Sequence, residues 1–175
     1  HPISGLNDVG LMTMEFDLRI SGDSSYTYWI LGQSGVSIGV ERGNMTLRGA
    51  TGGTQNFDHN LTGDNVYHMA MTVDPKAFGG AGSATVTYAK YTAQNTLDAP
   101  QTAFSGVELD LKGAGKKLSQ NTNFVLRLAT VAGAAARADN LKIAQVPKPT
   151  YQVEITAKSP QSFTNYGMPQ TMQID

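Results

Sequence analysis

The sequence contains no cysteine. That removes a disulfide framework, thiolate metal sites and cysteine nucleophiles together. It leaves secretion open, since bacterial surface proteins often do without disulfides. Charge is also scarce: Asp, Glu, Lys and Arg make up 15% of the chain, against about a quarter in an ordinary globular domain. The surface must therefore be dressed with Thr, Ser, Asn, Gln and Gly, which suits an extracellular β protein better than a cytosolic helical enzyme. A net charge of −1 supplies no long-range field, so nucleic acid is not an expected partner. No apolar run approaches the roughly 20 residues of a membrane span. No long stretch shows a helical period, and no internal repeat is evident. The chain opens on His1-Pro2 with no basic and apolar leader, as expected of a processed form, an excised piece or a fragment.

What is present is alternation. In Val66–Asp74 the residues Tyr67, Met69, Met71 and Val73 fall on one face of an extended chain, and His68, Ala70, Thr72 and Asp74 on the other. A period of two over nine residues predicts a half-buried central strand of an antiparallel sheet, stopped at Asp74-Pro75 because proline cannot donate to a ladder. Leu11–Ile20 repeats the pattern, with Met12, Met14, Phe16 and Leu18 inward and Glu15, Asp17 and Arg19 outward. Further strands are expected at Tyr26–Leu31, Val36–Glu41, Met45–Arg48, Ser83–Thr92, Val107–Leu111, Asn123–Val131 and Arg137–Ala144. Between them lie a hairpin turn at 42–44, a polar loop over Gln55–Asn65, a loop over Ala77–Gly82, an irregular stretch at 93–102 and a basic glycine-containing loop at 112–119. About nine or ten strands at short spacing predict an all-β, two-sheet antiparallel sandwich. The first domain is placed at 1–146. Val146-Pro-Lys-Pro149 reads as a stiff linker, and 147–175 as an extended C-terminal segment that opens a further domain or pairs with a neighbouring subunit through 151–175.

Two segments resemble the laminin-G-like, concanavalin A-like jelly-roll superfamily. Val66–Asp74 is similar to the strand those domains write as an aromatic, a histidine, alternating apolar residues and a closing Asp. Arg137-Ala-Asp-Asn-Leu-Lys-Ile143 is similar to their terminal strand, which often reads Asp-Asn before alternating apolar residues. The resemblance implies a jelly-roll domain over residues 6–146 with a C-terminal extension, the closing strand lying beside the first. It further implies an extracellular or cell-surface location, a glycan or surface-protein partner, and in some members calcium at the rim.

A glycan site needs an aromatic platform and planar polar groups, because sugar faces stack on rings and hydroxyls prefer bidentate partners. Trp29 and Tyr28 are the candidate platform, although a sole tryptophan in a sandwich is more often core. Arg42, Asn44 and Arg48, placed near a hairpin tip, are candidate hydrogen-bonding groups beside the blander reading of a solvated loop. The row Glu15, Asp17, Arg19 is expected to share a face with His68 and Arg127, as a groove or, preferred, an internally paired charge ladder. Calcium is the one cofactor the residues suggest, with Asp64, Asp74, Asp139 and Asn140 as oxygen donors, each also an ordinary turn former. Glu108-Leu-Asp110 lacks the third acid of the paired-carboxylate strand that glycosidases on this fold carry, so catalysis is not expected. The leading expectation is a non-catalytic carbohydrate-binding or adhesion module of a larger secreted or surface protein. Behind it stand a structural subunit of an extracellular filament or layer, and a divergent polysaccharide lyase or glycosidase.

Overall fold

A computed structural model describes residues 5–21, 26–31, 34–41, 43–59, 61, 63–129 and 135–146; for 20, 26–31, 126–129 and 135–136 it describes the backbone alone. The chain is all-β, built from two antiparallel sheets. In order, the strands are β1 (Met12–Ser21), β2 (Tyr26–Leu31), β3 (Ser37–Glu41), β4 (Asn44–Arg48), β5 (Gln55–Phe57), β6 (Val66–Asp74), β7 (Ser83–Lys90), β8 (Gln101–Glu108), β9 (Phe124–Ala129) and β10 (Ala135–Gln145). One sheet runs β10-β1-β6-β7-β8 and the other β5-β4-β3-β2-β9. The strand at Val66–Asp74 is indeed the middle strand of its sheet, and the closing strand lies beside the first.

The alternation decides which faces meet. Met12, Met14, Phe16 and Leu18 of β1 are buried, and so are Tyr67, Met69, Met71 and Val73 of β6. Register places Met14 opposite Met71 and Phe16 opposite Met69. Across the sandwich they join Ile38, Val40, Met45 and Leu47 in one continuous core. The flexible, polarizable thioethers fill gaps that branched side chains would leave between two twisted sheets. Phe57 lies 6.1 Å from both Tyr88 and Phe104, ring to ring, and so ties β5 to the β7–β8 side. Leu61 and Leu118, on connecting segments, are also fully buried.

Three expectations about elements need correction. The polar loop after residue 54 contains the strand β5, too short at three residues to show a period. The strand expected at 107–111 is displaced: β8 covers Gln101–Glu108, two irregularities interrupt its pairing with β7, and the broken register hides the alternation. Leu109 and Leu111 are buried beyond its end, where their N–H groups donate to the Gly82 and Ala81 carbonyls at 2.9 and 3.0 Å. The 77–82 loop contains one short helical turn, Ala77–Gly80, in which Phe78 and Gly79 have left-handed φ of 50° and 64°. The linker at 147–149, the extension to 175 and the assembly role given to 151–175 lie outside the described residues. Among the described residues no helix is long and apolar enough to cross a membrane.

Candidate functional site

Because the even residues of β1 face the core, the odd ones face away, and register sets Asp17 directly opposite His68 of β6. His68 Nδ1 lies 2.9 Å from Asp17 Oδ1. Tyr91, one residue past β7, donates its hydroxyl to the same oxygen at 3.1 Å. The other oxygen, Oδ2, accepts from Asn140 Nδ2 at 2.6 Å. Asp17 is thus a hub joining β1, β6 and β10 with the residue that follows β7.

Asn140 reaches the hub through a β-bulge. The β1–β10 register shifts between Glu15, which faces Lys142, and Asp17, which faces Asp139, so that Asn140 and Leu141 together oppose Phe16. Asn140 takes a left-handed backbone, φ 55°, a conformation Asn tolerates better than most residues. The extra residue turns the amide to the outer face while Leu141 packs against the core, the re-aiming that bulges commonly provide.

The Asp17 carboxylate is little exposed, at 12%. Burial pushes its pKa up, but the hydrogen bonds from Asn140, His68 and Tyr91, with the charge on His68, outweigh burial and hold it below the ordinary aspartate value. The Tyr91 phenol is pushed up, by burial first and then by the carboxylate to which it donates. Asp17 is therefore an ionised organiser whose oxygens are occupied by protein donors.

Beside this hub opens a cleft of about 800 Å³. Asp17, Tyr91 and Asn140 form part of its wall, and Asp64, Lys90 and Asn95 are among the other polar residues that line it. Asp64 and Asn95 both have left-handed backbones, with φ of 62° and 58°, marking tight turns at the rim. Arg19 approaches Asp64 at 3.4 Å, with both side chains about half exposed or more, a pair of small energetic weight.

The structure gathers some of the expected site residues and separates others. His68, Asp64, Asp139 and Asn140 come to this end of the sheet, the last three lining the cleft itself. Asp74 does not: it closes the far end of β6, roughly 27 Å of strand away, where its carboxylate accepts from the Lys76 N–H at 2.9 Å. Arg127 is corrected too, because β9 belongs to the other sheet, paired with Tyr28, and so does not share a face with Asp17 and His68. Asn44 and Arg48 occupy opposite ends of β4, so Arg48 is not at the hairpin tip. Arg42 and the side chains of Tyr28, Trp29 and Arg127 lie outside the described residues. Their strand register is described: Trp29 pairs with Ile38 and Leu126, and Tyr28 with Gly39 and Arg127. Among the described residues no three His, Asp or Glu side chains form a group able to hold a metal ion.

Sequence reasoning missed Tyr91, Lys90 and Asn95. Tyr91 was legible in principle, since continuing the outward parity of β7 by one residue places it on the His68 face. Glu108 ends β8 and is exposed, and Asp110 is paired with Lys116, so that segment forms no pair of free carboxylates. Compared with models of known protein families and with curated proteins, the chain matches none.

Proposed function

We propose that this domain is a non-catalytic carbohydrate-binding or adhesion module of a secreted or surface protein, and that the cleft beside Asp17 receives its ligand. The observation that carries this reading is the Asp17 hub: a fixed carboxylate with both oxygens accepting from protein donors, holding Tyr91 and Asn140 in the wall of an open polar cleft. Planar amides and carboxylates at a rim suit the vicinal hydroxyls of a sugar, which both donate and accept. A carboxylate kept ionised by three donors is suited to orientation and not to giving up a proton, which supports binding over hydrolysis. The jelly-roll assignment belongs to the same proposal. It is supported by the segment likenesses at 66–74 and 137–143 and by the neighbour order β10-β1-β6.

The test is a glycan array with the full chain, in calcium and in chelator, followed by titration calorimetry on any ligand found. Asn140→Gly preserves the left-handed backbone while removing the amide, so it should weaken binding at least tenfold and leave the fold intact. Binding seen only in calcium would assign Asp64, Asp139 and Asn140 as contributors to a calcium site. No binding on the array in either condition, or equal binding by Asn140→Gly, would sink the reading.

A further inference from the structure

At the opposite end of the same sheet lies a second cleft, of about 510 Å³ and opposite electrical character. Lys76 follows β6, Lys112 and Lys117 belong to the basic loop after β8, and all three line this space. Asp8 is the one acidic residue among its described lining residues. Both Asp8 oxygens are taken by Ser119, from its N–H at 3.0 Å and its hydroxyl at 2.5 Å. Lys116, the remaining lysine of the loop, is paired with Asp110.

Gly79 and Gly80 line the cleft with φ of 64° and 96°, and a Cβ placed on Gly79 would come into ordinary contact, 3.7 Å, with the Lys112 ammonium nitrogen. Any longer side chain there would compete for the space beside that cation. Lys117 is positioned from below: its carbonyl accepts from Asn121 Nδ2 at 3.1 Å, and the same amide's oxygen accepts from the Ser34 N–H at 3.0 Å. Asn121 is itself buried, so the backbone carrying Lys117 is pinned to the interior. Three exposed lysines line this one cleft in a protein of net charge −1, a local concentration of positive charge and not a general basic surface.

We propose that this cleft is an oxyanion site that binds a carboxylate or sulfate group of an extended ligand, independently of the Asp17 cleft. Ammonium groups from separate segments suit such a group as point charges, and the binding should weaken with salt.

The experiment is an amide-resolved NMR titration of the full chain at constant ionic strength, with sodium sulfate in one arm and trigalacturonate in another, and chloride as the reference. Saturating shifts confined to residues 75–82 and 111–118 are expected in at least one arm, and the responding arm identifies the group. Lys112→Glu/Lys117→Glu should weaken that binding at least tenfold, whereas Lys90→Glu, in the other cleft, should leave it unchanged. The milder Lys112→Gln/Lys117→Gln serves if charge reversal disturbs folding. Absence of saturation in both arms with the wild-type chain would overturn the proposal, as would binding that survives neutralisation of both lysines. Neither result bears on neutral glycans at the Asp17 cleft, so the two readings fail separately.

Discussion

Replacing Asp17 by Asn tests the hub directly. The substitution keeps the shape but changes one acceptor oxygen into an NH2 group. If the new carbonyl oxygen stays with His68 and Tyr91, the new amide faces the Asn140 amide, donor against donor. Asn140 recovers the bond at 2.6 Å only by turning its amide over to offer its oxygen, and that bond and the two at 2.9 and 3.1 Å then all lose their charge assistance. Hydrogen bonds to a charged partner contribute about 1.5–3 kcal/mol each, and neutral ones about half that. Halving three such bonds removes about 2–4 kcal/mol, and because Asn140 is exposed and water makes up part of the loss, a net loss of about 2 kcal/mol follows. The pH dependence has a defined sign. The folded-state pKa of Asp17 lies below its ordinary value of 3.8, so its contribution is present above that value and is lost as pH falls through the folded pKa. Urea unfolding of wild type and Asp17→Asn should therefore differ by about 2 kcal/mol at neutral pH and converge in strong acid. A neutral-pH gap under about 0.5 kcal/mol, or one that does not shrink on acidification, would refute the argument.

Three other outcomes follow from the packing. Asn121→Ala should cost about 1–3 kcal/mol, because it removes the acceptor of the buried Ser34 N–H, while the Lys117 and Leu118 carbonyls lose a second donor but keep the Gln120 and Asn121 backbone N–H groups; denaturant midpoints would show it. In Gly10→Ala the new Cβ would meet the Val146 carbonyl oxygen at 2.2 Å, so the chain just past β10 must move, and faster hydrogen exchange at Val146, whose N–H donates to the Leu11 carbonyl, should accompany a loss of about 2 kcal/mol. Met71→Ala should cost about 2–5 kcal/mol, since Met71 is fully buried opposite Met14; a midpoint shift corresponding to under about 1 kcal/mol would mean that the core collapses around the gap.

How much of this was readable in the residues differs by element. β1, β6 and β7 announce themselves because one face is uniformly buried and the other is not, so period two survives in the composition. β5 is too short to carry a period, and β8 loses its period through register shifts that only its partner strand reveals. The site divides the same way. Asp17 and His68 could be placed on one face from parity alone, but their direct opposition depends on the β1–β6 register. The Asp-Asn pair marks Asn140 as an oxygen donor, while its actual aim depends on a bulge that parity cannot show. Arg127 was misplaced because residue spacing does not say which of two sheets a strand joins.

The sulfur inventory of this chain has a further consequence. With no cysteine, thioether is its only oxidisable sulfur, and Met12, Met14, Met45, Met69 and Met71 are at 0–1% exposure. Peroxide cannot reach them until the sheets part, and a sulfoxide formed then is too polar to return to the gap it left. Each opening in an oxidising medium therefore carries a chance of a one-way exit, and a folded chain would lose capacity in discrete steps. Unless the sulfoxides are enzymatically reduced, the working lifetime of the domain would be set by how rarely its two sheets separate.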